Sequence, residues 1–145
     1  MTKEPSFYVN QGLTLDCVPS AIAMAVNYNY NVVTGKVTVA DVKYTNNNYK
    51  PFWSYADAIE GLQSFGFNTH PVDEFDGVGQ ALIFTKVATG IGHAVYVKDG
   101  VVYDSLGLFG KKVYSYEELE IKDYIITFNR SGSNPDVTTR VLHNQ

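Results

Sequence analysis

The sequence predicts an α+β domain in which N-terminal helices pack on a C-terminal antiparallel sheet, and three observations carry that expectation. Helical periodicity and helix-start signals dominate the first half, ending near Gly66. Beyond Phe67 the chain changes to short runs rich in β-branched and aromatic residues, at 81–85, 93–98, 101–104 and 125–128. Between two of those runs stands Asp99-Gly100, a strong two-residue hairpin signal, so the strands it joins are antiparallel.

The first helix is expected from Val18 to about Tyr28. Ala21, Ile22, Ala25 and Val26 recur there at helical spacing, Asp16 serves as N-cap, and Pro19 falls in the first turn, where its missing N–H is harmless. Thr38-Val-Ala-Asp41 resembles a capping box and opens a short helix. Residues 44–53, with three consecutive asparagines and Pro51, read as an irregular loop whose aromatics are expected to pack in the core, with the lining of a peptide groove as the alternative. A second capping box, Ser54-Tyr-Ala-Asp57, starts a helix that carries Ala58, Ile59, Leu62 and Phe65 on one face and ends at Gly66. His70, before Pro71, reads as a turn residue at the exit of that helix. Ser115-Tyr-Glu-Glu118 marks one more short helix before the last strand. Residues 1–130 are expected to form a single domain and 131–145 a polar C-terminal tail whose order the sequence leaves open.

Composition excludes several functions. A chain of 145 residues, 45% of them apolar, suits one domain, which at this size buries roughly 70% of its unfolded surface without a disulfide or metal staple. A net charge of -4 and a pI near 5.2 leave no basic excess for a phosphate backbone, so nucleic acid is not an expected partner. The apolar stretch from Val18 to Val26 falls short of the ~20 residues that span a bilayer, so no membrane partner is expected. One cysteine and a polar start, Met1-Thr-Lys-Glu-Pro, point to a reducing, cytoplasmic home. A single cysteine and three dispersed histidines offer no metal-ligand spacing, and no cofactor is expected. Gly77-Val-Gly79 and Gly90-Ile-Gly92 lack the third glycine or following lysine of a phosphate loop and read as turns.

Chemistry enters with Cys17, the only cysteine, where a polar turn runs into the first helix. The unpaired N–H groups and positive dipole end of a helix favour the thiolate, the reactive form of the thiol. If Asp99 and Gly100 are the turn residues, Lys98 pairs with Val101, Val97 with Val102, Tyr96 with Tyr103 and Val95 with Asp104. His93 then shares a face with Asp104 and stands diagonal to it, within hydrogen-bonding reach. A one-residue slip in register would send the two to opposite faces. Asp99, the rival carboxylate, is held at the turn tip. In the mechanism these positions imply, His93 takes the proton of Cys17, Asp104 orients the ring, and the backbone N–H of Cys17 with the side-chain amide of Gln11 stabilises the oxyanion. Asp16 works against the thiolate unless its charge is spent capping the helix. His70 is the competing base in the folded region, and His143 lies in the tail.

Gln11 followed by Asp16-Cys17-Val-Pro19, the helix Ala58-Ile-Glu-Gly-Leu62-Gln-Ser-Phe-Gly66-Phe67, Gly92-His93 opening a strand and an aspartate after a hairpin resemble the papain-like double-glycine leader peptidases, the cytosolic N-terminal domains of bacteriocin exporters. The similarity runs from about Gln11 to Phe128. It implies a papain-like fold with Cys17 as nucleophile, His93 as general base, Asp104 as orienter and Gln11 as oxyanion donor. Two positions depart from the family pattern: Val18 stands where the family carries glycine, and Ser105 where it carries proline. The transporter portions are absent, which implies a freestanding peptidase. The expected activity is cleavage of a peptide or isopeptide bond in a peptide or protein substrate through a thioester acyl-enzyme. Two alternatives share the fold: an acyl transferase or deamidase using the same residues, and a catalytically silent peptide-binding module, against which retention of all four residues argues.

Overall fold

The computed structural model describes residues 5–12, 14–30, 35–87, 90, 92–106 and 111–131. His143 and all but the first residue of the 131–145 tail lie outside them.

Helix α1 (Cys17–Tyr30) starts at the cysteine itself, and every residue from Val18 to Asn27 is buried. It is enclosed because it packs on the sheet through one side and on two further helices through others. That all-round apolar surface is why its small residues, Ala21, Ala23 and Ala25, are fully covered. Burying Ile22 and Met24 completely contributes about 1.5–3 kcal/mol each. The Asp16 carbonyl accepts from both the backbone N–H and the hydroxyl of Ser20, so Asp16 does hold the position that caps the helix.

Helix α2 (Val39–Asn46) is opened by the expected box, with Thr38 and Asp41 exchanging side-chain-to-backbone bonds. It extends through Tyr44 to Asn46, a stretch expected to be loop. Its stop is Asn47 in the left-handed region (φ 49°), which asparagine adopts more readily than other side chains. The irregular segment is therefore only 47–53. Helix α3 (Tyr55–Ser64) carries the Ser54–Asp57 box and closes at Phe65. Gly66 follows with φ 85° and turns the chain directly into the sheet.

The sheet has six strands: β1 (Phe67–Val72), β2 (Gln80–Lys86), β3 (Gly92–Lys98), β4 (Val101–Tyr103), β5 (Val113–Ser115) and β6 (Tyr124–Arg130). Their order is β1-β6-β2-β3-β4-β5, with every neighbouring pair antiparallel. Two of them, β1 and β5, carry too little alternation to be read from sequence and are the edge strands. His70 and Pro71 lie within β1, not in a turn, because an edge strand tolerates a proline that a central one would not. The Ser115 capping box opens a single 3-10 turn, Tyr116–Glu118.

Alternation along β3 divides the core. Ala94 and Tyr96 join the larger cluster beneath the helices, whereas Val95 and Val97 join a smaller one with Ile83, Val102 and Leu119. The fold is thus helices on one face of an antiparallel sheet, α+β as expected.

Candidate active site

The hairpin between β3 and β4 sets the geometry. Asp99 (φ 46°) and Gly100 (φ 84°) both take the left-handed conformation, the signature of the two-residue turn that matches strand twist. Lys98 pairs with Val101, Val97 with Val102 and Tyr96 with Tyr103, the register read from the sequence. Asp104 follows directly, and its Oδ1 lies 2.6 Å from Nε2 of His93. The same oxygen accepts the Leu106 N–H at 3.0 Å, and Oδ2 accepts the Tyr114 hydroxyl at 2.9 Å. Tyr8 donates to the Asp104 carbonyl at 2.5 Å, and the Asp104 N–H donates to Lys112. Asp99 is held at the tip by the Gly79 N–H and Lys98.

Cys17, half-buried at the first position of α1, lines the same groove as His93, and its sulfur is among the groups that raise the imidazole. Nε2 is committed to Asp104, which leaves Nδ1 as the ring nitrogen for any exchange with the thiol. His93 is only 4% exposed, and that burial disfavours its cation. The hydrogen bonds and charges of Asp104 and Cys17 outweigh it and push the imidazole up to about 9. Burial pulls Asp104 the other way, but the His93 ring, the Leu106 N–H and the Tyr114 hydroxyl hold its carboxyl below the usual 3.8. Imidazole and carboxylate are thus directly hydrogen-bonded, and the sulfur lines the same groove as the ring.

Cys17 and His93 open onto a groove of about 380 Å³ whose apolar walls are Leu15, Val18, Phe52, Trp53, Tyr55 and Phe84. Phe52 and Trp53 thus line the groove, the alternative and not the favoured reading for the aromatics of this loop. Trp53 is nearly buried, and its indole N–H has no hydrogen-bond partner among the described residues. A larger depression of about 710 Å³, bounded by 73–76, Tyr116 and Lys122, contains neither thiol nor imidazole. The chemistry lies in the smaller one.

Gln11 is placed differently. It lines a neighbouring depression with Thr14, Asp16 and Lys43, and is buried. Its Nε2 donates to the Thr14 carbonyl at 2.8 Å, while its Oε1 accepts the Ser105 hydroxyl at 2.6 Å. The Asp16 carboxylate bonds Lys43 at 2.7 Å, so a lysine ion pair, and not the expected helix-capping bond, counters the negative charge beside the thiol. His70 is exposed on β1, with β6 and β2 between it and the strand of His93. The partners that sequence reading missed are Tyr8, Ser105 and Tyr114. Of these, only Ser105 had left a trace, as a departure from the family pattern.

Among the described residues, no group of three or more histidine, cysteine or carboxylate side chains is arranged to hold a metal, and no helix is long and apolar enough to cross a membrane.

No family model and no curated protein matches this sequence. Among solved structures the chain is similar to the peptidase domain of Streptococcus ComA, a bi-functional ABC transporter involved in a quorum sensing pathway, with a TM-score of 0.62 and 16% identity over 84% of this chain and 96% of that one. The fold is papain-like. At this identity the likeness extends to architecture, and the chemistry has to be argued from the residues.

Proposed function

We propose that this chain is a cysteine peptidase that cleaves a peptide or isopeptide bond through a thioester, with Cys17 as nucleophile, His93 as general base and acid, Asp104 as orienter and Gln11 as oxyanion donor. One observation carries the reading: a buried imidazole bonded to a carboxylate at 2.6 Å lines the same groove as the single cysteine of the chain. The similarity to a peptidase domain supports the same conclusion at the level of fold.

His93 takes the Cys17 proton, and the thiolate sulfur attacks the substrate carbonyl carbon, moving the C=O electron pair onto oxygen. That oxyanion meets the Cys17 backbone N–H at the start of α1 and the second amide hydrogen of Gln11, the first being used on Thr14. As the intermediate collapses, Nδ1–H protonates the departing amine and leaves a thioester on sulfur. Water then gives its proton to Nδ1, attacks the thioester, and releases the acid and the thiol. Throughout, Asp104 accepts Nε2–H and stabilises the imidazolium without itself becoming protonated. Val18 stands beside the thiol where the resembling peptidases carry glycine, so a double-glycine preference is not part of the proposal. A peptide or protein substrate and a reducing, cytoplasmic setting complete the proposal.

Alkylation of Cys17 by iodoacetamide at pH ~6 tests it. An ordinary thiol of pKa ~8.5 is almost wholly protonated there and reacts slowly. The wild type is expected to react at least about tenfold faster than His93→Ala. Equal rates would remove the ion pair and with it the proposal.

A further inference from the structure

We infer that Ser105 is a positioning residue for the oxyanion side of the site, acting through Gln11. The inference rests on the proposed role of Gln11 as a donor.

A glutamine amide has two ends of nearly the same shape and opposite hydrogen-bonding character. Turned one way it offers donors to a developing oxyanion; flipped, it offers a repelling oxygen. Nothing in the residue itself chooses between them. In this chain two partners do. The Thr14 carbonyl, which can only accept, takes Nε2 at 2.8 Å, and the Ser105 hydroxyl donates to Oε1 at 2.6 Å. Thr14 belongs to the segment leading into Cys17, so the nitrogen end is tied to the stretch that carries the nucleophile. Ser105 is 0% exposed and its bond to the Gln11 oxygen is buried, so its hydroxyl has no solvent to turn to. With both ends anchored, the amide plane is fixed before substrate arrives, and preorganised donors stabilise an oxyanion best.

The position of Ser105 adds a consequence. It directly follows Asp104, so one two-residue step connects the acid that orients the imidazole to the amide that serves the oxyanion. The backbone reinforces this link, since the Gln11 N–H donates to the Ser105 carbonyl at 3.0 Å. A proline at this position, as in the resembling peptidases, would keep the carbonyl and lose the hydroxyl. This chain therefore holds its amide by a side-chain bond that the family pattern lacks.

Because the backbone bond does not need the hydroxyl, Ser105→Ala removes the amide anchor alone. The bonds of Asp104 to His93, Leu106 and Tyr114 involve no Ser105 side-chain atom. Two probes then separate the two sides of the site. Iodoacetamide forms a carbon–sulfur bond and expels iodide without creating an oxyanion. p-Nitrophenyl acetate is attacked at its carbonyl, passes through an oxyanion, and leaves an acetyl thioester and p-nitrophenolate. Ser105→Ala is expected to slow acylation about tenfold while alkylation changes less than twofold. In a Gln11→Ala background, where acylation is already slowed, adding Ser105→Ala is expected to have no further effect, since the two act as one unit. Equal falls in both rates, no fall in either, or additive losses in the double variant would overturn the inference. If Gln11→Ala itself leaves acylation intact, the donor role of Gln11 fails and the inference fails with it. The alkylation difference between wild type and His93→Ala judges the Cys17–His93 pair separately.

Discussion

Nε2 of His93 and Oδ1 of Asp104 are 2.6 Å apart, brought together by a hairpin whose turn is only Asp99-Gly100. The two residues stand on adjacent strand ends, so their separation follows from hydrogen-bond register and does not depend on a flexible loop. Such a pair is rigid enough to hold an imidazole in one tautomer.

The first prediction concerns pH and stability. His93 titrates near 9 in the folded protein against an ordinary 6.5, so its contribution is fully present below 6.5 and is lost as pH rises through 9. Its size is on the order of 3 kcal/mol. Asp104 is shifted the opposite way, so its contribution holds above 3.8 and is lost as pH falls through its depressed value. Urea unfolding of wild type and His93→Gln between pH 6 and 10 is expected to show a stability gap that closes toward alkaline pH. Parallel curves would mean that folded His93 is neutral.

A second prediction isolates the carboxylate. Asp104→Asn retains the shape but removes a charge and a hydrogen bond that raise the imidazole. Alkylation of Cys17 at pH 6 should slow by about tenfold or more. Histidine NMR should show the His93 titration moving down from 9 toward 6.5. An unmoved titration would assign the raised value to the sulfur alone.

What the sequence disclosed and what it hid have a common cause. The Asp99-Gly100 turn and the Ser54–Asp57 box are local chemistry, complete within a few residues, and both are present as read. The register that unites His93 with Asp104 needed only that turn. By contrast β1 exists because Phe67–Val72 pairs with β6 some sixty residues away, a partner that no local pattern announces. Asn46–Asn48 looked like loop, yet Asn46 bonds back to Val42 inside α2 and only Asn47 turns out of the helix. The partners of Gln11 were equally hidden, since Ser105 lies ninety-four positions downstream. Residues that carry chemistry were visible by type; those that orient them were set by tertiary contact.

Tyr114 shows how this second group can be tested. Its hydroxyl is the donor to Oδ2 of Asp104 at 2.9 Å, and its ring packs on the smaller core cluster. Tyr114→Phe keeps the ring and leaves that oxygen short of a donor, at a cost of about 1–3 kcal/mol in urea unfolding. Tyr114 is one of the groups holding the Asp104 carboxyl down, so its loss raises that titration and moves the acid limb of the stability curve to higher pH. A variant as stable as wild type at pH 5, with an unmoved acid limb, would show the bond to be incidental.

The last prediction concerns the groove wall. Gly61 on α3 faces the indole so closely that a Cβ there would stand 2.8 Å from Trp53 Cζ3 and 2.7 Å from Ile22 Cδ1. Ile22 is fully buried in α1, five residues after the nucleophile, and has little room to yield. Gly61→Ala gains helix propensity, but the overlap costs about 1–3 kcal/mol and has to be relieved by moving the indole. Trp53 is the only tryptophan in the chain, so its fluorescence reports that movement without interference. A shifted emission maximum is expected, together with lower stability and slower acylation by p-nitrophenyl acetate, because the displaced ring occupies the groove beside Cys17. If emission shifts while acylation is unchanged, the Trp53 wall lies outside the path by which an acyl donor reaches the sulfur.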